Sequence, residues 1–356
     1  MEPSDDSRLR YIFGGVHWSQ VGRARLGVEV MERRGYLQSN RGEGMVHATS
    51  TRAPVSDIMV LHIFGEKTMR LRILIAAVVM LSASAAQGQS AVPSACDLPQ
   101  VSGVSSQQLV SGRRQRSYRL FVPPGYDGHQ RLPLVLDLHG SGGNAAGQAR
   151  NSGLETMSAG ERFLVATLEA EGGRWNVPVQ ENRADDVAYV GDVISHVAAR
   201  VCTDETRVYV TGFSGGGRMT SLLGCQLGSR IAAIAPVSGL RFPGPCPGRP
   251  VPVLTFHGLA DPQNPYDGHA AGRGAEWLES VPDALAGWAR HNSCNGSIIL
   301  DDPPGPLSTM RYQGCDDDAE VRMIRIDGLG HTWTKQEVDT TGVMWQFFKS
   351  HRRSRS

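Results

Sequence analysis

The stretch V-Y-V-T-G-F-S-G-G-G-R-M, from Val208 to Met219, decides the fold of this chain. An apolar run ends there in four glycines, which flank one serine, Ser214. A glycine inside a helix or strand lowers local stability by roughly 0.5–1 kcal/mol relative to alanine. Four glycines at one turn therefore lower local stability, but they also leave room around Ser214 that side chains would otherwise fill.

The residues Gly212 to Gly216 fit the pattern G-x-S-x-G, between a predicted strand at Arg207–Thr211 and a predicted helix at Gly216–Leu227. In this setting a strained backbone exposes the serine hydroxyl, and residues without a β-carbon let the strand and the helix approach closely. The helix start also offers unpaired N–H groups near Ser214. The pentapeptide alone leaves open a glycine-rich turn with an incidental serine.

Apolar runs alternate with amphipathic stretches from about residue 100 onward. The patterns predict a hairpin (Gln107–Val110 with Ser117–Val122), strands at Leu132–His139, Phe163–Leu168, Arg207–Thr211, Ile231–Val237, Val251–Phe256 and Val321–Ile326, and helices at Ala184–Val201, Gly216–Leu227, around Trp277, Leu278, Leu285 and Trp288, and at Gly342–Lys349. This alternation predicts one mainly parallel sheet with helices on both faces. Reactive groups in such sheets lie on loops at the carboxyl ends of the strands.

Two later loops carry the partners that a nucleophilic serine needs. V-P-V-L-T-F-H-G-L-A-D-P brings Asp261 just past one strand, and V-R-M-I-R-I-D-G-L-G-H-T-W brings His331 just past another. A serine hydroxyl needs a histidine base, which a carboxylate orients, and the chain order in this architecture is serine, acid, histidine. We therefore predict Ser214, Asp261 and His331 as a catalytic triad, although Asp261 before Pro262 also fits a plain turn.

Other residues compete for these roles. Asp327, four residues before His331, is the reserve candidate for the acid. His139 and His257 precede glycines at the ends of strands, where a structural hydrogen bond is the simpler role, and His196 falls within a helix upstream of the serine.

The charge that develops on a substrate carbonyl oxygen requires preorganised donors. The residue after the nucleophile supplies one backbone N–H, here that of Gly215. The loop L-D-L-H-G-S-G-G-N, from Leu136 to Asn144, follows an early strand, and we assign the second N–H to Ser141. The alternative for this loop is a flexible turn without a catalytic part.

An export signal interrupts the chain at M-R-L-R-I-L-I-A-A-V-V-M-L-S-A-S-A-A-Q-G-Q-S, which begins at Met69. Two arginines, a short apolar core and small residues give residues 69–88 the layout of a secretory signal peptide, with cleavage near residues 88–91. A membrane-spanning helix needs about 20 apolar residues, so a signal anchor is the weaker interpretation. We interpret residues 1–68 as a gene-model extension or a disordered leader, and residues 89–356 as one catalytic domain.

Six cysteines, all after the signal, point to disulfides in an exported protein. Cys294 and Cys315 flank what the sequence presents as a surface excursion, and this is the one pairing we predict. The other four, Cys96, Cys202, Cys225 and Cys246, are left unassigned. Metal binding is the rival interpretation, but no C-x-x-C spacing supports it.

Composition bounds the function further. The 356 residues are 40% hydrophobic, enough for one large core or two small ones, and the formal net charge is +1. This balance gives no indication of nucleic-acid binding, and we expect no stable membrane anchor, metal or organic cofactor. The oligomeric state is left open.

Five motifs in one order carry a resemblance to a known family: H-G-S-G-G at His139, G-R-W-N at Gly173 with D-D-V-A-Y at Asp185, G-F-S-G-G-G at Gly212, F-H-G-L-A-D at Phe256, and G-H-T-W at Gly330. Together they resemble the secreted polyhydroxybutyrate-depolymerase-like esterases, relatives of feruloyl and acetylxylan esterases with the α/β-hydrolase fold. The resemblance spans residues 100 to 350 and implies the same triad. Asn264, Leu329 and Thr334 depart from the family pattern, which affects the expected substrate more than the expected activity.

The resemblance implies a serine esterase acting on feruloyl, acetyl or short-chain hydroxyacyl esters. Trp175 and Trp333 are our candidates for substrate contact, with core packing as the alternative, and Asp185 and Asp186 are expected to start a helix. Because the chain ends at Ser356, we expect soluble esters rather than crystalline polymer, with polyhydroxybutyrate depolymerisation as the alternative. A peptidase, a thioesterase or a non-catalytic binding module with this fold stays open.

Overall fold

The structure is a computed structural model that describes residues 95–96, 98, 101–268, 279–296, 298–301 and 305–354. The predicted signal peptide, the segment before it, and Trp277 and Leu278 lie outside the described residues. The described strands are β1 (Gly103–Ser111), β2 (Arg114–Val122), β3 (Leu132–Leu138), β4 (Leu164–Leu168), β5 (Thr203–Phe213), β6 (Ala233–Val237), β7 (Val253–Gly258), β8 (Ile299–Asp301), β9 (Leu307–Tyr312) and β10 (Val321–Ile326).

These strands form one sheet in the order β1-β2-β4-β3-β5-β6-β7-β10-β9-β8. The central strands from β4 to β10 are parallel. The hairpin β1–β2 extends one edge in antiparallel pairing, and β9 with β8 extends the other. The predicted parallel core is therefore confirmed, and its carboxyl ends define one edge for a site.

The described helices are α1 (Ala145–Ser152), α2 (Leu154–Glu161), α3 (Asp186–Ala198), α4 (Gly215–Gln226), α5 (Val281–His291) and α6 (Thr340–Lys349). Side chains alternate across the strands, so β3 sends Leu134 and Leu136 into one core and Val135 into another. Apolar residues of α3, α4 and α5 fill the first core, and those of α2 and α6 fill the second. Helices thus cover both faces, as predicted.

Four elements were not predicted. Helices α1 and α2 are short, and Gly153, in a left-handed conformation, separates them. Strands β8 and β9 occupy the stretch that the sequence presents as a surface excursion, where their side chains are half-buried or exposed. Neither pair shows the strong apolar periodicity on which the prediction depended.

Three disulfides link the six cysteines: Cys96–Cys202, Cys225–Cys246 and Cys294–Cys315. The predicted pair Cys294–Cys315 is confirmed, and it joins the end of α5 to the residues after β9. Disulfides of this number are typical of proteins that fold in an oxidising compartment.

Candidate active site

The turn at Ser214 joins the end of β5 to the start of α4. Ser214 has φ of 55° and ψ of −114°, a conformation that costs a residue with a side chain free energy. Two hydrogen bonds hold it: Ser214 N donates to Val237 O at 2.9 Å, and Arg218 N donates to Ser214 O at 3.0 Å. The strained serine is therefore fixed by its neighbours β6 and α4.

The surrounding glycines lie where three backbone segments meet. A β-carbon on Gly212 would come within 2.6 Å of the Gly216 carbonyl carbon and 2.8 Å of Leu138 O. A β-carbon on Gly216 would collide with the carbonyl oxygens of Leu138 and His139, and one on Gly217 would lie 3.0 Å from Val237 O. Only glycine allows β5 and α4 to pack this closely, which explains the composition of the turn.

Asp261 and His331 form a hydrogen-bonded pair on the loops after β7 and β10. His331 Nδ1 lies 2.7 Å from Asp261 Oδ2, while Asp261 Oδ1 accepts from Gln263 N at 2.8 Å and Asn264 N at 2.9 Å. Burial would raise the pKa of Asp261, but the hydrogen bonds from His331 and from the backbone N–H groups of Asn264 and Gln263 outweigh it. The pKa is therefore below its ordinary value, and the carboxylate is ionised at neutral pH.

His331 lies next to the serine turn. Its ring centre is 4.8 Å from that of Phe213, the residue before Ser214. Its Nε2 atom is buried and has no hydrogen-bond partner among the described residues. The structure thus joins Asp261 to His331 by a hydrogen bond, and no such bond links Ser214 Oγ to His331 in the described part of the chain.

The competing residues lie elsewhere or are engaged. Asp327 is exposed on the turn after β10, where its N–H donates to Pro306 O at 2.7 Å. His196 Nδ1 is 2.7 Å from the Tyr118 hydroxyl. His139 is buried, with Nδ1 2.8 Å from Gly140 O and Nε2 accepting from Ala170 N at 3.1 Å.

His257 is buried beneath the acid. Its Nε2 atom is 2.8 Å from Asn264 O and 3.7 Å from Asp261 Oδ2. Burial lowers the pKa of His257 to about 4, against the opposing effects of the Asn264 carbonyl and of Asp261. The ring is therefore neutral at neutral pH, and Nε2–H donates to Asn264 O in the turn that holds Asp261.

The loop after β3 lies against the serine turn. A β-carbon on Gly215 would collide with Ser141 Oγ and would lie 3.1 Å from Ser141 N. In the described part of the chain, the backbone N–H groups of Ser141 and Gly215 donate to no protein acceptor. Gly142 N donates to Gly173 O at 2.8 Å, and Gly143 N donates to Gly140 O at 2.9 Å. The two donors predicted for an oxyanion are thus neighbours in space.

The two candidate tryptophans are almost fully buried. Trp175 is 3% exposed and its indole N–H donates to His139 O at 2.8 Å. Trp333 is 5% exposed and its indole N–H donates to Thr341 Oγ1 at 3.1 Å. Both rings pack in the cores, so contact between them and a substrate stays a prediction.

A cavity of about 330 Å³ opens on the side of α4 that carries Arg218, one helical turn after Ser214. Its lining comes from the loop after β4, from α4, from the loop after β6 and from a residue two positions before α5: Val177, Pro178, Val179, Arg218, Leu222, Arg241, Phe242, Pro243 and Glu279. Most of these side chains are apolar. Sequence reasoning missed this cavity, because its lining is scattered over four separate segments.

Comparison with known proteins now gives the class. Residues 116–246 match the protein family described as "Esterase PHB depolymerase". Feruloyl esterase B of Piromyces equi is 30% identical over 245 residues, which cover 64% of this chain and 44% of that protein. "Probable feruloyl esterase C" of Aspergillus clavatus is 30% identical over 246 residues, which cover 65% of this chain and 83% of that protein.

A solved structure shows the fold. The acetyl xylan esterase from Aspergillus awamori has a TM-score of 0.51 and 17% identity, over 68% of this chain and 98% of that chain. The fold and the relatives define a serine ester hydrolase of the α/β-hydrolase class. Within it, the chain belongs to the esterase family that includes polyhydroxybutyrate depolymerases and feruloyl esterases.

Two further observations concern location and ligands. No helix among the described residues is long and apolar enough to cross a bilayer. The same residues contain no cluster of three histidine, cysteine or acidic side chains placed to hold a metal ion.

Proposed function

We propose that the protein hydrolyses carboxylic esters through an acyl-enzyme, with Ser214 as nucleophile, His331 as base and Asp261 as the carboxylate that orients it. One observation carries the assignment. The hydrogen bond from His331 to Asp261 uses Nδ1, so the Nε2 atom, which has no partner among the described residues, is left beside the Ser214 turn. Triad hydrogen bonds to the nucleophile are often long before substrate binds, so a missing Ser214–His331 bond is compatible with this role.

In the first half of the reaction, Ser214 Oγ attacks the ester carbonyl carbon as its proton passes to His331 Nε2. The carbonyl oxygen then carries the negative charge, and we assign the N–H groups of Ser141 and Gly215 as its donors. Loss of one such donor typically lowers the rate about 10²–10³-fold. The imidazolium is stabilised by Asp261 and returns the proton to the leaving alcohol as the C–O bond breaks.

In the second half, water attacks the acyl carbon and gives its proton to His331 Nε2. The tetrahedral intermediate collapses, the bond to Ser214 Oγ breaks, and the serine regains its proton as the acid leaves. The alcohol thus leaves with the proton that came from Ser214, and Ser214 is reprotonated with a proton from water, so the enzyme is regenerated and the net reaction consumes one ester and one water.

For the substrate, we propose feruloyl or short-chain hydroxyacyl esters, with acetyl esters also accepted. The apolar cavity beside α4 is of a size that holds small organic ligands, and an acetyl group would fill little of it. The similarity to proteins described as feruloyl esterases supports the aromatic acyl group. The family description favours a second candidate, depolymerisation of polyhydroxybutyrate.

We also propose that residues 69–88 are a signal peptide, that residues 89–356 form one catalytic domain, and that the enzyme acts outside the cytoplasm. The three disulfides support an oxidising destination. N-terminal peptide analysis of the exported protein tests this proposal, and peptides from residues 1–68 in the mature protein would contradict it.

The function is tested by hydrolysis of p-nitrophenyl acetate and butyrate, methyl ferulate, acetylated xylan and 3-hydroxybutyrate oligomers, with Ser214→Ala as the inactive control. We expect activity on at least one ester class, reduced more than 10³-fold by Ser214→Ala. Activity within tenfold of wild type in that variant would contradict the assignment of Ser214, and inactivity of the wild type on every ester would favour an amide, a thioester or a binding role.

A further inference from the structure

A buried ion pair joins strand β2 to helix α3. Arg116 Nη2 on β2 lies 2.7 Å from Asp186 Oδ1, and the two side chains are 3% and 2% exposed. The Arg116 guanidinium also lies 3.8 Å from the centre of the Tyr189 ring. Removing two charges from water costs several kcal/mol per ion, and well-packed apolar residues often stabilise a core equally well. Stability alone is therefore a weak explanation for this pair.

The second carboxylate oxygen of Asp186 holds a loop. Asp186 Oδ2 accepts from Asn176 N at 2.6 Å, and the Asn176 side chain donates to the carbonyl oxygens of Gln180 and Ala184, each at 3.0 Å. One carboxylate thus fixes the backbone at residue 176 relative to β2. The sequence indicated only that Asp186 starts a helix, because its partner Arg116 lies 70 residues away in the chain.

The loop that Asp186 holds is in turn bonded to the loop of Ser141. Trp175 Nε1 donates to His139 O at 2.8 Å, Ala170 N donates to His139 Nε2 at 3.1 Å, and Gly142 N donates to Gly173 O at 2.8 Å. Residues 170–176 therefore hold the chain on both sides of Ser141. Arg116 Nη2 also donates to the carbonyl oxygen of Glu169, the residue before this segment, at 3.3 Å.

We propose that Arg116 and Asp186 are a positioning pair that sets the direction of the Ser141 N–H group toward the oxyanion. The inference rests on the proposed esterase function. Oxyanion donors act through orientation, and a misplacement of about 1 Å can lower a rate about 10²-fold. A charged pair fixes direction better than apolar packing does, because its hydrogen bonds form in one geometry only.

The test compares two double variants that both remove the buried charges. Arg116→Met with Asp186→Leu removes the acceptor for Asn176 N, whereas Arg116→Met with Asp186→Asn retains an oxygen that accepts this bond. We expect the Leu variant to lose 10- to 100-fold in kcat with KM changed less than threefold, and the Asn variant to recover only part of the loss, because its amide oxygen accepts from Asn176 N but Arg116 no longer fixes that side chain. We expect the affinity for phenylboronic acid, which forms a tetrahedral boronate with the serine and places one oxygen where the oxyanion would lie, to fall in parallel with kcat.

Active-site titration corrects every rate for the folded fraction, so lost stability does not imitate lost positioning. If the Leu variant fails to fold, Trp175→Phe removes the bond to His139 O together with part of a buried ring, and the same fall in kcat and in boronate affinity is expected. Asp204→Asn is the matched control, because it breaks a 2.6 Å ion pair with Arg207 at the far end of β5. We expect its kcat to equal that of the wild type.

The two proposals fail in different ways. Full activity in Ser214→Ala overturns the esterase mechanism itself. A different result overturns only the positioning role of Arg116 and Asp186. In that case Ser214→Ala is inactive, but the Leu variant, or Trp175→Phe in its place, folds and has the kcat and the boronate affinity of the wild type.

Discussion

Asp261 Oδ2 and His331 Nδ1 meet at 2.7 Å although 70 residues separate them in the chain. Sheet topology brings them together, since β7 and β10 are neighbouring parallel strands and each residue follows the carboxyl end of one of them. Two backbone N–H groups, from Gln263 and Asn264, fix the other carboxylate oxygen. The direction in which His331 points is therefore set by the sheet and by one tight turn.

Asp261→Asn tests this relationship. The amide cannot hold the imidazole with Nδ1 protonated, so we expect kcat for p-nitrophenyl acetate to fall about 10⁴-fold with KM little changed. Asp327→Asn is the control, because this exposed carboxylate follows the same strand as His331, and its rate is expected to match wild type. Equal losses in the two variants would contradict the assignment of the acid.

Gly216→Ala tests the packing of the serine turn. The new β-carbon would collide with the carbonyl oxygens of Leu138 and His139, which belong to a buried strand end and cannot move cheaply. We expect the free energy of unfolding to fall by on the order of 3 kcal/mol, with loss of activity.

Gly160→Ala is the matched control for that measurement, because a β-carbon at this helical position in α2 meets nothing within 4 Å. We expect it to raise the free energy of unfolding by up to about 1 kcal/mol. Urea denaturation measures the free energy of unfolding of both variants. Equal values for the two would show that the serine turn is not close-packed.

The raised pKa of Asp137 implies that the free energy of unfolding depends on pH. Burial raises its pKa to about 7, although Ser152 and Gln148 donate to its oxygens and oppose the shift. Between the ordinary pKa of 3.8 and about 7, the unfolded chain releases this proton while the folded protein retains it. The contribution of Asp137 is therefore complete below pH 4 and is lost as the pH rises through 7.

Asp137→Asn mimics the protonated acid and does not titrate. Compared with wild type, its free energy of unfolding should decline less between pH 4 and pH 7, by a few kcal/mol in total. Guanidinium denaturation at several pH values measures both slopes. Parallel curves for the two proteins would mean that the carboxyl group is already ionised in the folded state.

The lowered pKa of His257 implies that the free energy of unfolding changes with pH in the opposite direction. Its pKa is about 4 in the folded protein and 6.5 ordinarily, so its contribution to stability is present above pH 6.5 and is lost as the pH falls through 4. His257→Gln keeps a donor for Asn264 O without the titration. We expect this variant to lose less free energy of unfolding than wild type between pH 6.5 and pH 4, and its kcat at pH 8 to stay within threefold of the wild-type value. If the variant loses as much stability in acid as wild type does, His257 is not the source of the acid sensitivity.

Sequence reasoning reached the sheet and the serine turn because both depend on local pattern, whereas the catalytic triad stays a prediction. It placed the strands of the parallel core through their apolar runs, and it placed Ser214, Asp261 and His331 at strand ends. Helices α1 and α2 were missed, although Asn144 caps α1 and Gly153 ends it, because these helices carry few apolar residues.

Other features depend on contacts between distant residues and leave no local pattern. Asp185 caps α3 through Ala188 N, as expected of an acid at a helix start, whereas its neighbour Asp186 turns inward to Arg116. Two adjacent aspartates in one sequence motif thus have different partners. Only the folded chain distinguishes them, just as only the folded chain shows that Trp175 and Trp333 are buried.

The two ends of strand β5 contact different parts of the chain: one end leads to Ser214, and the other binds Arg353 near the C-terminus. Ser214 follows its carboxyl end, while at its amino end Thr206 O accepts from Arg353 N at 2.9 Å and Glu205 O accepts from the Arg353 side chain at 2.9 Å. Eight residues of extended strand, about 26 Å, separate Thr206 from Ser214. A solid support attached to the protein just beyond Arg353 would therefore hold it by the end of the sheet remote from Ser214, and the sheet edge that carries Ser214 would face the surrounding solution.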